Sequence, residues 1–163
     1  MNRESIMKGI FEKKWARVLL ISASCIAIVY ALIYVDVVLR ARSAYMQGEK
    51  YFSWYEDPKL KERSLQADFQ KEKSKLDENL AGGKVTQDEY KKQLEIASFN
   101  YERKREESSI KYAYIWYQTV IELFSPPESK WVKLARENMP KAKELWKQEL
   151  RAKNIPFEDY MLD

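Results

Sequence analysis

An all-α fold carrying one membrane-spanning helix is what this sequence predicts, and three observations lead there. Residues 18–35 carry no charge. The chain of 163 residues has only four glycines and five prolines, most of them where a helix would end, so long stretches of helix formers run uninterrupted. Beyond the uncharged run, apolar residues recur at three- and four-residue steps. The expected architecture is a single N-terminal transmembrane helix followed by a helical domain with an inserted antiparallel coiled-coil hairpin. Its parts are a cytoplasmic amphipathic segment (1–17), the transmembrane helix (18–39), the helical domain (40–153, with 57–109 as the hairpin arm) and a C-terminal tail (154–163).

The first segment puts Ile6, Met7, Ile10, Phe11 and Trp15 on one helical face and takes charge from Lys8, Lys13 and Lys14, the pattern of a helix lying in a membrane interface. The span that follows, 18–39, would extend ~33 Å at 1.5 Å per residue, enough for a hydrocarbon core of about 30 Å. A secretory signal has an apolar stretch of about 7–15 residues closed by small ones. Here the run continues through Tyr30, Tyr34 and Leu39, so the helix is expected to be retained. Ser22-Ala23-Ser24-Cys25 departs from a bacterial lipobox by placing serine where leucine belongs.

Two features of the span bear on function. Ala23, Ala27 and Ala31 recur every four residues, giving a face small enough for close helix packing, with a partner or with a second copy. Asp36 stands four residues before Arg40, the spacing of an interfacial ion pair. Arg3, Lys8, Lys13, Lys14 and Arg17 precede the span while Arg40, Arg42 and Lys50 follow it. The positive-inside bias therefore predicts a cytoplasmic N-terminus and a periplasmic domain on a bacterial inner membrane.

Ala41, Ala44, Tyr45, Gly48, Tyr51, Phe52 and Tyr55 continue the span as a helix with one apolar face. Asp57-Pro58 reads as an N-cap and first helical position. Leu65, Phe69, Leu76 and Leu80 mark a thin stripe on a charged helix that Ala81-Gly82-Gly83-Lys84 breaks. Thr86 and Glu89 form a capping box with Val85 and Tyr90 at the staple positions. Tyr90, Leu94, Ala97 and Tyr101 then form the seam of a returning helix. Twelve basic and twelve acidic side chains cancel over 57–109, the balance of a solvated two-helix arm.

The stretch 110–124 is apolar almost all round, and such a helix has to be covered on several sides. Ser125-Pro126-Pro127-Glu128 reads as the start of the next helix, with a capping box of its own and proline at the first position, and a kink or break is expected at Pro140. Trp131, Leu134, Ala135, Asn138, Met139, Ala142, Leu145, Trp146 and Leu150 share one face of it. Segments 41–55, 110–124 and this last helix are expected to make the core. In the tail, Pro156 interrupts the helix, and Phe157, Tyr160 and Leu162 are expected to dock onto the core or into a partner.

The turn at 80–94, with its glycine, aliphatic, threonine, glutamate and aromatic residues, resembles the helical hairpin of SHOCT-type domains. Gly48 with Tyr51, Trp131 with Leu134 and Ala135, and Ala113 with Tyr117 resemble positions of tetratricopeptide-like helical repeats, interrupted here by the arm. That second resemblance implies protein binding, as in a scaffold or adaptor.

Chemistry is poorly supplied. There are no histidines and one cysteine, Cys25, inside the span, which removes the usual zinc sites, Cys/His nucleophile pairs and disulfides. No phosphate loop or nucleophile elbow occurs. With 29 Lys and Arg interspersed among 25 Asp and Glu, no basic stripe for nucleic acid forms. The chain is expected to be a non-enzyme that binds no cofactor, no metal and no nucleic acid. Its expected partners are the lipid bilayer and other proteins of a membrane complex, which it would serve as an assembly or adaptor protein through the helical domain. The alternative is a small accessory subunit of a transporter, respiratory or energy-converting complex, acting mainly through its transmembrane helix.

Overall fold

The computed structural model describes residues 14–162, and all of its long elements are helices. The amphipathic face expected at Ile6, Met7, Ile10 and Phe11 lies outside the described residues. Helix α1 (Lys14–Glu56) is unbroken over 43 residues, about 65 Å at helical rise. Its first part is apolar and long enough to cross a membrane, and the rest of the protein leaves that part uncovered. Burial begins at Ala41, so one continuous rod serves first as an exposed apolar helix and then as a wall of the core.

The core is a three-helix bundle of the last part of α1 with α4 (Ser109–Leu123) and α5 (Lys130–Ala152). Tyr112 stacks on Tyr51, and Tyr117 lies by Tyr45, so α4 runs antiparallel to α1. Trp131 lies by Tyr45 and Trp146 by Tyr114, so α5 turns back again. Alanines at 41, 44, 113, 135 and 142 let the backbones approach, and Ile110, Tyr117, Val120 and Val132 fill the space between them. Each fully buried aliphatic side chain among these stabilises the bundle by about 1.5–3 kcal/mol. With α1 on one side and α5 on another, the apolar circumference of α4 is largely covered, as expected.

Between α1 and α4 the chain makes a hairpin of α2 (Pro58–Ala81) and α3 (Gln87–Glu106). Asp57 caps α2, its carboxylate accepting from the amides of Lys59 and Leu60. Thr86 and Glu89 form the expected reciprocal capping box. Leu65, Leu76 and Ala97 are buried along the seam, Tyr101 packs on Phe69 and donates to Glu62 at 2.5 Å, and Tyr90 donates to Asp77 at 2.7 Å. The arm leaves and rejoins the bundle at the end far from the apolar half of α1.

Two expectations for α5 need correction. The helix does not start at Ser125, because residues that precede proline are driven out of the helical region, and both Ser125 and Pro126 do so. Its N-cap is Ser129, whose hydroxyl accepts from the amide of Val132, while the Ser125 hydroxyl donates to the Glu128 carboxylate at 3.0 Å. Nor does the helix break at Pro140. That ring is on the solvent side, and the flanking turns are held to the bundle by buried Ala135 and Ala142. After α5 the described residues close with a 3₁₀ turn, Asp159–Leu162.

Candidate interaction surfaces

The interior of the bundle holds a polar node. The Glu49 carboxylate accepts from the Tyr117 hydroxyl at 2.7 Å and from the Asn138 amide at 3.1 Å, and the same amide donates to the Tyr45 hydroxyl at 3.0 Å. Burial first, and then the neighbouring Glu49 carboxylate, push both phenols well above their ordinary value. Among the described residues, every buried side-chain nitrogen and oxygen has a partner. The node joins α1, α4 and α5 and so acts as a positioning device.

A second polar site holds the arm. The Lys61 ammonium donates to the carbonyls of Arg105 at 2.9 Å and Glu107 at 2.6 Å, tying α2 to the end of α3. Burial lowers the Lys61 pKa, an effect opposed by the nearby Glu107 carboxylate. Beside it, a cavity of about 80 Å³ is bounded by Lys50, Tyr51, Trp54, Lys104 and Tyr112, with the Lys50 ammonium 4.5 Å from the centre of the Trp54 ring. On the α5 side, the Ser108 hydroxyl caps α4 and donates to Glu149. Lys61 thus closes the two helices of the arm on each other at its base, and the Ser108 bond ties the junction of arm and bundle to α5.

Outward-facing features are of three kinds. Ala23, Ala27 and Ala31 all lie exposed on the apolar half of α1, and Asp36 pairs with Arg40 at 2.7 Å. On α3, Ile96 and Phe99 are 59% and 67% exposed, out of phase with the buried seam. Neither residue stands among the seam positions expected from the sequence. Their signal was their register, two apolar residues off the line of Tyr90, Leu94, Ala97 and Tyr101. At the tail, the three expected residues part company. Leu162 is buried and Phe157 half-buried under the Arg151 guanidinium, whereas Tyr160 is 72% exposed. Asp159 bonds the Lys147 ammonium at 2.9 Å, which holds its carboxyl below the usual range.

Among the described residues no group of three or more Cys, Asp or Glu side chains gathers in a way that could hold a metal ion. Comparison with known proteins finds no matching family, no similar curated protein and no similar solved structure.

Proposed function

We propose that this chain is a single-pass, membrane-anchored assembly or adaptor protein that binds other proteins of a larger membrane complex through its helical domain. The observation that carries the reading is the double use of α1. Its apolar half is left bare by the bundle, and its other half is part of the core without any intervening joint. A hydrocarbon environment is the one that bare surface fits. The rigid continuation would hold the domain, and with it the arm, at a set height above the bilayer. The arm's exposed Ile96 and Phe99 and the tail's Tyr160 are then the surfaces for protein partners. Asp36, paired with Arg40, suits the boundary where the helix leaves the membrane. In this reading the N-terminus is cytoplasmic and the domain periplasmic on a bacterial inner membrane.

The second reading, an accessory subunit acting through its transmembrane helix, is favoured by the exposed small-residue face of Ala23, Ala27 and Ala31. Crosslinking and mass spectrometry in native membranes separates the two. A chain with residues 18–35 exchanged for an unrelated apolar span should keep its crosslinked partners, and the double substitution Ile96→Asp with Phe99→Asp should lose them. The opposite pattern would establish the accessory-subunit reading in its place.

A further inference from the structure

The turn between α4 and α5 lies beside the apolar half of α1, below the level at which charge first appears. Pro126 and Pro127 come alongside Tyr30, Ile33, Tyr34 and Val37. Three of those four positions precede Asp36, and Tyr30 lies six residues before it, about 9 Å along the helix axis. The turn is thus level with the end of the uncharged run rather than with the polar domain.

Its composition suits that position. Loops that face water are polar, yet this one reads Leu-Phe-Ser-Pro-Pro, with Leu123 69% exposed and Phe124 half-buried. Of the two acids flanking it, Glu128 is paired with Arg136 at 2.7 Å and Glu122 accepts from the Gln118 amide at 2.8 Å. Just above the turn, the Trp131 ring has the Arg42 guanidinium 5.6 Å and the Lys130 ammonium 5.5 Å from its centre. An aromatic ring flanked by cations is the usual furniture of a membrane–water boundary, where indole sits among headgroups and the cations meet phosphates.

We infer that the α4–α5 turn is a second membrane-contacting element, with Leu123, Phe124 and Pro126 seated in the headgroup–acyl boundary of the leaflet from which α1 emerges, and Trp131, Arg42 and Lys130 forming the belt above it. The inference rests on the reading of α1 as a membrane span. Lipid is the occupant because the surface continues that of the span at the same depth, where acyl chains are the first neighbours. Two contacts with one leaflet, helix and turn, fix the tilt of the bundle, which a single helix would leave to its neighbours.

The test uses the whole chain carrying Cys25→Ser and one new cysteine, spin-labelled and reconstituted in phosphatidylcholine vesicles. Collisions with dissolved oxygen, which concentrates in lipid, are compared with those of a water-soluble nickel chelate. Leu123→Cys replaces an exposed side chain and leaves the core intact. Its label should show an oxygen-to-nickel ratio several-fold above that of a label at Phe99→Cys. A label at Ile28→Cys reports on the span alone. If position 28 is in lipid and position 123 matches position 99, the turn inference fails while the anchor stands. If position 28 itself reports water, both fail. A label at 123 shielded from both reagents would mean that protein covers the turn, which also overturns the inference.

Discussion

Gly48 and Tyr117 are matched to one another. A Cβ at position 48 would stand 2.6 Å from Cε1 and 2.8 Å from Cδ1 of the Tyr117 ring. That ring is fully buried, and its hydroxyl is bonded to Glu49, so it cannot retreat without breaking the polar node. The absence of a side chain at 48 is what lets α4 lie close to α1.

Gly48→Ala should therefore destabilise the domain. Overpacking costs about 1–3 kcal/mol, and the better helix propensity of alanine returns up to about 1 kcal/mol. Urea unfolding of the detergent-solubilised chain measures the difference. Adding Tyr117→Leu should make the alanine at 48 tolerable, so that the two changes are strongly non-additive. Equal cost of Gly48→Ala in either background would show that the ring is not what excludes a Cβ.

Stability should fall as pH rises through about 10, the ordinary tyrosine value. Tyr45 and Tyr117 have raised folded values, so their contribution is fully present below the unfolded value and is lost above it, where only the unfolded chain ionises. Lys61, with its lowered value, pulls the other way, since the unfolded chain then holds more protons than the folded one. Two strongly raised phenols outweigh one lysine. The urea midpoint followed from about pH 8 to pH 11 should decline, and Tyr117→Phe should flatten the decline while lowering the neutral-pH value by about 1–2 kcal/mol for the lost hydrogen bond. An alkaline limb as steep in the variant as in the parent would contradict the assignment.

Lys61→Met keeps the apolar stem of the side chain and removes the ammonium that bonds the carbonyls of Arg105 and Glu107. Leaving those acceptors without that partner should cost about 1–3 kcal/mol, concentrated where α3 returns to the bundle. Hydrogen exchange should become faster in α2 and α3 with little change in α4 and α5, because local opening of the arm does not require the core to unfold. Uniform acceleration over all helices would indicate that arm and bundle open as one unit.

How much of this was legible beforehand depends on how local each feature is. The Thr86–Glu89 box is written within four residues and was read correctly. The apolar half of α1 and its continuation into Ala41, Ala44 and Tyr45 follow from run length and helical spacing alone. Ser125 reads as a cap because proline fits a first helical turn by residue type, yet two successive prolines remove the helical conformation from the residues before them. Pro140 marked a kink or break by local rules, and the helix runs through it without a break. The Glu49 node was out of reach, since its members are 68 and 89 residues apart in the chain. Phe99 and Tyr101 are both aromatic on one helix, and only their register separates the exposed ring from the seam.

The tail divides its residues between two tasks. Leu162 is 5% exposed and Asp159 is bonded to Lys147, so Leu162→Ala should lower stability by about 2 kcal/mol, the low end for a buried leucine. Tyr160 is turned outward, and Tyr160→Ala should leave the melting temperature unchanged while reducing recovery of crosslinked partners. A drop in melting temperature with Tyr160→Ala would make it an internal packing residue.

Everything proposed here depends on α1 crossing a bilayer with the helical domain on the far side. Ser129, a buried N-cap, is unsuited to a labelling reporter, whereas Lys84 at the exposed tip of the arm is accessible without disturbing a helix. In a Cys25→Ser background, cysteines placed singly at Ser5 and at Lys84 and treated with a membrane-impermeant thiol reagent on sealed vesicles of known orientation give the most direct reading. The expected result is protection of one position and labelling of the other, exchanged when the vesicles are inverted. Labelling of both from the same side would contradict the membrane-spanning assignment of α1.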